Sequence, residues 1–343
     1  MKVKLLEACN ISTGKLDSNA AEENGKYPFF TCAPEPMKIN SYAFDEDAIL
    51  LAGNNAQGNF HIQRYNGKFN AYQRTYIITA KEGWDIDFVK YSIEIALSHL
   101  KKISQGSQTK FLTMGMLEDF VLNNYPFEKQ KAIIASLKKI DEKIELNSKI
   151  NDNLQQVIKS CFDFMFATRK PNGIISDILQ EHPKSTIQVN DSTGVFGDYP
   201  FFTSGEALNE WQSALVDGMN CYLSTGGNAT IKGYYGKAAY STDTWCVCGK
   251  GEYSFYLFCY LKSIIRSIND SFFAGSGLKH LQKDSLLLVN LYIPSEKELE
   301  KFNSIVKPAM ETMTTLFLET KKLKQQRDFL LPLLMNGQAT IAE

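Results

Sequence analysis

The chain has 343 residues, of which 44% are hydrophobic and 22% are charged, proportions that suit a globular protein of about two domains. Its 37 basic and 38 acidic residues give a formal net charge of −1, which excludes a histone-like protein or a polybasic tail and leaves a locally basic face possible. The N-terminus reaches Glu7 before an apolar run forms, and no segment has the length and apolarity of a spanning helix. We therefore expect a soluble, cytoplasmic protein.

The seven cysteines are scattered along the chain. Only Cys246 and Cys248 are close, and their spacing is not the Cys-x-x-Cys spacing of a structural zinc site. The odd number of cysteines indicates reduced thiols rather than a disulfide framework. The sequence therefore predicts no metal site.

Short motifs of the first half recur in the same order in the second half. The heptapeptide 25–31 recurs as 197–203 with six identities in seven residues. The further matches, at offsets from 167 to 173 residues, are 53–56 with 226–229, 65–68 with 234–237, Gly106 and Lys110 with Gly275 and Lys279, and 124–126 with 291–294. Five collinear matches indicate a duplicated unit.

The first part of each copy, residues 1–126 and about 169–294, is rich in glycine and aromatic residues. β-prone runs such as Tyr76–Ile78 and Trp245–Cys248 are separated by turn signals such as Asn66-Gly67, which predicts a mixed α/β (α+β) domain with a twisted sheet. Helices are predicted over Asp87–Ile103 and Tyr253–Ile268.

Each copy ends in a long predicted helix. In residues 127–168, a seam of alternating four- and three-residue steps runs from Ile133 to Cys161, the spacing of a coiled coil. Asn147 and Asn151 fall in this seam, where a buried asparagine would fix the register at some cost in stability. Pro171 and the following Asn-Gly are expected to end the helix.

The second long helix is predicted within residues 295–343, where the same alternation runs from Leu299 to Leu330. Ser295 and Glu298 form a capping-box pattern at its start, and Pro308 predicts a kink or a restart inside it. At about 1.5 Å per residue, each helix would be roughly 50–60 Å long. Two such helices can pair antiparallel and hold the two heads apart.

A duplicated binder on a rigid spacer suits a ligand that has two sites at a fixed separation. Duplex DNA is such a ligand, since roughly 50 Å corresponds to about 15 base pairs. The helix length would then set the spacing between the half-sites.

Three segments carry a resemblance to a known family: 125–133 (Tyr-Pro-Phe-Glu-Lys-Gln-Lys-Ala-Ile), 140–147 (Ile-Asp-Glu-Lys-Ile-Glu-Leu-Asn) and 330–338 (Leu-Leu-Pro-Leu-Leu-Met-Asn-Gly-Gln). With the Gly-containing segment 106–110 and the duplication, they make the chain similar to the specificity (S) subunit, HsdS, of type I restriction–modification systems. The likeness covers nearly the whole chain, although the two heads match only in outline. The chain is short for this family and lacks its net positive charge.

The resemblance implies a pseudo-two-fold chain with target recognition domains at 1–126 and 169–294, each reading one half of a split asymmetric site in double-stranded DNA. The conserved helices at 127–168 and 295–343 would set the spacer and dock two methyltransferase (modification, M) subunits, and restriction (R) subunits would join that complex. The chain itself would be non-catalytic and hold no cofactor. Its partners would use S-adenosylmethionine, ATP and Mg for adenine-N6 methylation and site-specific DNA cleavage.

Candidate DNA-binding residues lie in one stretch of each head, because Asn and Gln can contact adenine edges, Arg guanine edges and Lys phosphate. In the first head they are Asn54, Asn55, Gln57, Gln63, Arg64, Lys68, Tyr72 and Arg74. In the second head they are Thr225, Asn228, Thr230, Lys232, Tyr234 and Lys237. The competing interpretation is an ordinary solvated hairpin.

A Gly-containing loop in each head adds further candidates, since Gly106 and Gly275 would let backbone N–H groups approach a phosphate. The candidates are Gln105, Ser107, Gln108 and Lys110 in the first head and Ser276 and Lys279 in the second. The competing interpretation is a helix-to-strand turn that needs positive φ.

No catalytic residues are predicted. The segment 123–127 is superficially similar to the Asn-Pro-Pro-Tyr loop of adenine methyltransferases, but the residue order differs and no Gly-rich phosphate loop is present. The alternative to a DNA-binding scaffold is a coiled-coil adaptor whose duplicated heads bind proteins or glycans. Residues 1–126 hold 13 basic and 14 acidic groups and residues 169–294 hold 10 and 11, so DNA binding requires the basic groups to be segregated on one side.

Overall fold

The structure, a computed structural model, describes residues 2–56, 58–104, 110–275, 277 and 279–339. The chain forms two compact units: unit 1 comprises Met1–Ile144 and Lys322–Glu343, and unit 2 comprises Glu145–Lys321. Each unit therefore combines one head with part of both long helices, whereas the sequence analysis treated heads and helices as separate domains.

The head of unit 1 is a mixed α/β domain built on one main sheet. Its elements are β1 (Lys2–Lys4), α1 (Leu5–Ala8), β2 (Cys9–Thr13), β3 (Tyr27–Phe30), β4 (Met37–Ile39), β5 (Phe44–Ala52), β6 (Asn54–Asn55), β7 (Ile62–Ala71), β8 (Thr75–Ala80), α2 (Ile86–Ile103), β9 (Lys110–Phe111), α3 (Met114–Glu118) and β10 (Val121–Asn123). The main sheet has six strands in the order β2-β8-β5-β7-β3-β4, antiparallel except for the β3–β7 pair.

The central strand β5 is apolar at five consecutive positions because both faces of the sheet are covered. Ile49 and Leu51 pack with Val89 and Ile93 of α2 on one face. Leu50 packs on the other face in a second cluster with Phe30, Ala48, Phe69, Ala71 and Ile77. Asp85 caps the N-terminus of α2 by accepting hydrogen bonds from the backbone N–H groups of Asp87 and Phe88.

The long helix α4 (Phe127–Phe166) follows, and then the head of unit 2. The elements of this second head are β11 (Gly173–Ile174), α5 (Ile175–Ile178), β12 (Leu179–Glu181), β13 (Tyr199–Phe202), β14 (Leu208–Trp211), β15 (Met219–Ser224), β16 (Ile231–Tyr235), β17 (Ala239–Tyr240), β18 (Thr244–Gly249), α6 (Ser254–Ser263), α7 (Ile265–Ser271), β19 (Phe273–Ala274), β20 (His280–Leu281), α8 (Lys283–Leu287) and β21 (Asn290–Leu291). Helix α9 (Glu296–Met335) completes the described elements.

The two heads share one topology, which confirms the duplication. In unit 2 the strand order is β12-β18-β15-β16 in one sheet and β14-β13-β17 in another. These seven strands match β2-β8-β5-β7 and β4-β3-β7 of unit 1, where the ten-residue strand β7 takes part in both groups. In unit 2 the corresponding strand is interrupted between β16 and β17, and the sheet divides there.

Helices α4 and α9 each have 40 residues. In unit 1, Asp141 pairs with Arg327, while Asn123, just before α4, donates a hydrogen bond to the carbonyl of Met335 near the end of α9. In unit 2, Asn147 bonds Thr320, and the ring of Phe166 lies 5.3 Å from that of Phe302. Within each unit the helix segments therefore run antiparallel, as the sequence predicted.

The seam prediction is confirmed at Asn147, which is 1% exposed and donates to Glu319 at 2.8 Å and to Thr320 at 3.2 Å. The capping pattern at the start of α9 is also present, since a Glu298 carboxylate oxygen accepts hydrogen bonds from the backbone N–H and the hydroxyl of Ser295. A coiled-coil seam and a helix start could thus be located from spacing alone.

Two local predictions were wrong, and one of the two alternatives at Pro308 is ruled out. Asn66-Gly67 is not a turn but lies inside β7, where Gly67 takes a φ of +129° that favours glycine. The predicted helix from Tyr253 is divided at Ile264 into α6 and α7. Helix α9 is continuous through Pro308, so the restart, one of the two expected outcomes, does not occur.

Candidate nucleic-acid interface

Four segments of unit 1 meet at one end of the main sheet and form what we call the first loop cluster: 31–34, 53–56 with Gly58, 72–75 and 110–112. The N–H of Gly53 donates to the carbonyl of Arg74 at 2.8 Å, and the carbonyl of Gly53 accepts from the N–H of Leu112 at 2.8 Å. Asn55 lies opposite Lys110 in the two-stranded β6–β9 pair. Backbone hydrogen bonds therefore fix three of these segments to one another.

A second loop cluster occupies the equivalent position in unit 2: segments 203–206, 225–230, 241–244 and 279–281 with Gly277. The N–H of Thr225 donates to the carbonyl of Asp243 at 3.2 Å, and the carbonyl of Thr225 accepts from the N–H of Leu281 at 3.0 Å. The N–H of Gly227 donates to the carbonyl of Lys279 at 2.9 Å. The backbone scheme of the first loop cluster is thus repeated with different side chains.

Two of the predicted DNA-binding side chains hold a loop of their own cluster. The amide of Gln63 donates to the carbonyls of Pro34 at 2.9 Å and Ala33 at 3.4 Å. In unit 2 the ammonium group of Lys232 donates to the carbonyls of Thr203 and Gly205. Burial lowers the pKa of Lys232, as expected for an ammonium group withdrawn from water. Gln63 and Lys232 each hold a loop of their own head in place.

Most of the predicted residues that the structure describes come together in these clusters. In unit 1 they are Asn54, Asn55, Gln63, Tyr72, Arg74 and Lys110; in unit 2 they are Thr225, Asn228, Thr230, Lys232 and Lys279. Arg74, Asn228 and Lys279 are exposed, whereas Asn54, Asn55 and Lys110 are half-buried. The hydroxyl of Thr230 donates to the carbonyl of Ser204 at 3.1 Å, and that of Thr225 to the carbonyl of Asp243 at 2.8 Å.

Arg64 and Lys68 lie away from the first loop cluster. Arg64 follows Gln63 on β7 and therefore points to the opposite face of the sheet, where its guanidinium group pairs with Asp47 and, at 3.2 Å, with Asp87. Lys68 lies further along β7 with its ammonium group 4.6 Å from the centre of the Tyr42 ring. Reading 54–74 as one interface ignored the length and the pleat of this strand.

Tyr234 and Lys237 lie away from the second loop cluster for the same reason. Tyr234 is 9% exposed, and its ring lies 5.7 Å from that of Phe202 and 6.0 Å from that of Phe317. Lys237 is exposed in the interruption between β16 and β17. Five further predicted residues, Gln57, Gln105, Ser107, Gln108 and Ser276, lie outside the described residues.

The sequence analysis missed Lys101 and Asp243. Lys101, in the last turn of α2, donates to the side chain of Asn59 at 2.7 Å and lies beside Gly58. The sequence signal of Lys101 is a pair of basic residues at the end of the predicted helix Asp87–Ile103.

The two loop clusters differ in charge. The four segments of the first contain Arg74 and Lys110 and no acidic residue, and Lys101 lies beside them. The segments of the second contain Lys279 together with Glu206 and Asp243. The segments of the first cluster are therefore basic, and those of the second are mixed.

Burial raises the pKa of the Cys32 thiol, which lies in the first loop cluster. All seven cysteines are free. Burial raises the pKa of Cys9 to about 12 and that of Cys221 well above its ordinary value, so both stay protonated and unreactive at neutral pH. Within the described part of the chain, no group of three or more His, Cys, Asp or Glu side chains could hold a metal ion, and no helix could cross a membrane.

Residues 1–156 match the family described as the Type I restriction modification DNA specificity domain. The match covers 156 of the 343 residues. The chain is also 38% identical over 160 residues to the type I restriction enzyme EcoDI specificity subunit of Escherichia coli. The aligned region is 46% of this chain and 34% of that relative, so the chain covers about a third of the relative's length.

The fold of the whole chain is similar to a solved structure, the S subunit of a type I restriction–modification system from M. genitalium. The TM-score is 0.68 with 14% identity, and the match covers 100% of this chain and 96% of the other. At this identity the match concerns the fold. Together with the family match, it confirms the sequence resemblance to type I specificity subunits and the predicted arrangement of two mixed α/β heads and two long helices.

Proposed function

We propose that the chain is the DNA-specificity subunit of a type I restriction–modification complex, in which each head reads one half of a split asymmetric duplex site. The observation that carries this proposal is the repeated loop cluster. Gly53, Arg74 and Leu112 make the same backbone hydrogen bonds as Thr225, Asp243 and Leu281, while the side chains differ. The two heads would therefore present different recognition side chains from the same backbone arrangement. The family match of residues 1–156 supports DNA as the ligand.

Within this proposal the side chains of the clusters divide by chemistry. The amides of Asn54, Asn55 and Asn228 suit base edges, and the cations Lys110 and Lys279 suit phosphates. Gln63 and Lys232 would act indirectly, by holding the loops at 33–34 and 203–205. The surplus of cations in the first cluster predicts that the first head contributes more of the salt-dependent affinity.

The chain would itself be non-catalytic and act in the cytoplasm. Methylation of adenine N6 and DNA cleavage would be performed by modification and restriction subunits, which would bring S-adenosylmethionine, ATP and Mg. Two modification subunits would bind, since the chain offers two similar units. The DNA-binding residues proposed here select the site at which those partners act.

The helix surface of unit 2 offers a place for a modification subunit. Phe164 is 91% exposed and Val157 is 50% exposed, and because they are seven residues apart they lie on one face of α4. Exposed aromatic side chains are typical anchors of protein interfaces. Lys321 of α9 is less suited as an anchor, because it already bonds Glu210 and the carbonyl of Gly197.

The experiment that tests the proposed function is methylation mapping. The chain is expressed with the modification subunit encoded beside it in a host that lacks adenine methylation, and genomic methylation is read by single-molecule sequencing. We expect one split motif with a fixed spacer. Replacing residues 1–126 by the head of a related subunit should change one half of the motif and leave the other half and the spacer unchanged.

The same experiment tests the docking surface with a matched pair of variants. Phe164→Glu should abolish both co-purification of the modification subunit and methylation, whereas Leu288→Glu, at an exposed apolar position of the second head (66% exposed), should retain both. A stable complex without methylation at any sequence would contradict the proposed specificity role. The absence of any complex with the modification subunit would favour the adaptor alternative.

A further inference from the structure

Arg74 and Asp243 occupy one and the same backbone position in the two heads. The carbonyl of Arg74 accepts the N–H of Gly53 at 2.8 Å, and the carbonyl of Asp243 accepts the N–H of Thr225 at 3.2 Å. The residues that follow them, Thr75 and Thr244, begin β8 and β18. The two side chains therefore leave equivalent points of the two loop clusters.

Side-chain hydrogen bonds fix this position further. The carbonyl of Arg74 also accepts from the thiol of Cys32 at 3.6 Å, and that of Asp243 accepts from the hydroxyl of Ser204. The hydroxyls of the following threonines donate to the carbonyls of the last residues of β3 and β13, in both cases at 3.2 Å. The backbone at this position is thus held from several sides in each head.

The side chains at this position are exposed and uncommitted. Among the described residues, the guanidinium group of Arg74 makes no hydrogen bond and no ion pair. The carboxylate of Asp243 has one neighbour, the hydroxyl of Thr242 at 3.5 Å. Arg64, by contrast, is neutralised by two carboxylates. A rigid backbone that carries a free charged side chain is the arrangement of a recognition group.

The change of sign between the two heads indicates what is recognised. A carboxylate is repelled by phosphates, so a position that holds Asp in one head does not lie along the DNA backbone when that head is bound. Base edges accept both signs: guanine offers O6 and N7 to a guanidinium group, and cytosine offers its N4 amino group to a carboxylate. Since the two frames match, the same reasoning applies to Arg74.

We propose that Arg74 and Asp243 are equivalent base-reading positions, with Arg74 selecting a guanine in one half-site and Asp243 selecting a cytosine in the other. The inference rests on the proposed function and adds to it the identity of two of the bases read. It also explains why the second loop cluster tolerates an exposed carboxylate among its DNA-facing groups.

The test is a selection from a pool of duplexes with 30 randomised base pairs, using the full chain in complex with its modification subunit. The wild type should enrich a split motif with a guanine in one half and a cytosine in the other. Arg74→Gln should reduce the preference for that guanine by about ten-fold or more and shift it towards adenine, because glutamine pairs with adenine N6 and N7. Asp243→Asn should shift the cytosine towards adenine in the other half alone.

Conservative variants and distant controls separate reading from folding. Arg74→Lys should keep part of the guanine preference. Lys38 and Asp198 are exposed, lie outside the clusters and have no described side-chain contact. Lys38→Gln and Asp198→Asn should therefore leave the motif unchanged. Thermal melting of each variant shows whether it is folded.

Three results would overturn the inference while leaving the proposed function intact. The first is an unchanged motif in Arg74→Gln or Asp243→Asn, and the second is an altered preference in both halves at once. The third is a loss of affinity in Arg74→Gln that is equal for all sequences and lowers the salt dependence by about one phosphate contact. If the wild-type complex enriches no motif at all, the proposed function itself fails.

Discussion

In each unit an amide side chain of a long helix hydrogen-bonds to the head, but the two amides are satisfied to different extents. Gln130 of unit 1 is fully buried; its amide oxygen accepts the N–H of Asp85 at 2.9 Å, and its amide nitrogen donates to the carbonyls of Gly83 at 3.2 Å and Tyr125 at 2.8 Å. In unit 2, Asn303, one turn further along its long helix, donates to the carbonyl of Glu252 at 2.9 Å. Its buried amide oxygen has no partner among the described residues.

The two contacts come from different turns of the long helices, since Gln130 lies in the first turn of α4 and Asn303 one turn later in α9. Gln130 reaches both a carbonyl and an N–H group of the opposite turn, whereas Asn303 reaches the carbonyl alone. An unsatisfied buried acceptor costs on the order of 1–3 kcal/mol. A duplicated fold therefore need not have duplicated energetics, because each copy is stabilised by its own side chains.

The helix seam differs between the units as well. In unit 1, Arg327 pairs with Asp141 at 3.2 Å, and the Tyr91 hydroxyl of α2 donates to the same carboxylate. Burial and this carboxylate raise the pKa of Tyr91, so its phenol remains a donor. Unit 2 has the amide of Asn147 in place of this network, and the oxygen of that amide is unsatisfied within the described residues. At this seam, unit 1 is therefore held by a network of charged groups, and unit 2 is held by an amide with one unsatisfied oxygen.

The largest effect is expected at the Gln130 contact. Gln130→Leu should lower the free energy of unfolding by about 2 kcal/mol, because three backbone groups lose their partner at once. Asn303→Leu should cost about 0.5 kcal/mol or less, since it removes one bond together with an unsatisfied oxygen. Urea denaturation measures both, and hydrogen exchange at 83–88 should increase only in the first variant. Equal costs would contradict the comparison.

A smaller effect is expected at the ion pair of unit 1. Arg327→Met keeps the aliphatic stem but leaves Asp141 half-buried with Tyr91 as its remaining donor, which should cost about 1–2 kcal/mol. The matched control is Arg169→Met in unit 2, where the pair with Glu298 is more exposed, at 52% for the arginine, and should contribute under about 0.5 kcal/mol. If both variants melt alike, the network of unit 1 adds nothing beyond a surface pair.

The sequence allowed the large features to be predicted because they are periodic or repeated. The heptad seam placed Asn147 in the helix contact, and the recurring 25–31 motif revealed two copies of one head. It did not reveal how completely the amide of Gln130 is satisfied, since two of its partners, Asp85 and Gly83, lie 45 and 47 residues away in sequence. Gln130 could only be quoted as part of a family-like segment.

The candidate site was predicted less well, for physical reasons. Choosing polar residues along 54–74 treated an extended strand as if it were a loop, although Gln63 and Arg64 must point to opposite faces. The charge partners of Arg64 come from a neighbouring strand and from α2, and the sequence does not place them. The equivalence of Arg74 and Asp243 is visible only in the backbone hydrogen bonds, because the residues differ in charge.

An effect of opposite sign is expected in the seam of unit 2. Asn147→Leu removes an unsatisfied buried oxygen and adds apolar contact between α4 and α9, which should raise the free energy of unfolding by about 1 kcal/mol. Glu319 and Thr320 are half-buried and can be hydrated in its place. Ile144→Ala, which shortens an apolar seam residue nearby, is the control and should be destabilising. A loss of stability in Asn147→Leu would mean that its hydrogen bonds outweigh the unsatisfied oxygen.

The smallest effect concerns the contact of the second head with α9 in unit 2. Burial alone would raise the pKa of Glu210, but the N–H of Gly197 and the ammonium group of Lys321, 2.9 Å away, lower it below the ordinary value of 4.5. A lowered folded-state pKa gives a stabilisation that is present above pH 4.5 and is lost as the pH falls through the folded-state value. Because both side chains are 25% exposed, the loss should stay under about 1 kcal/mol. Urea midpoints measured between pH 6.5 and 3 should fall less steeply in Glu210→Gln than in the wild type. The control Glu206→Gln, at an exposed position, should follow the wild type. Parallel curves for all three proteins would show that Glu210 contributes no pH dependence.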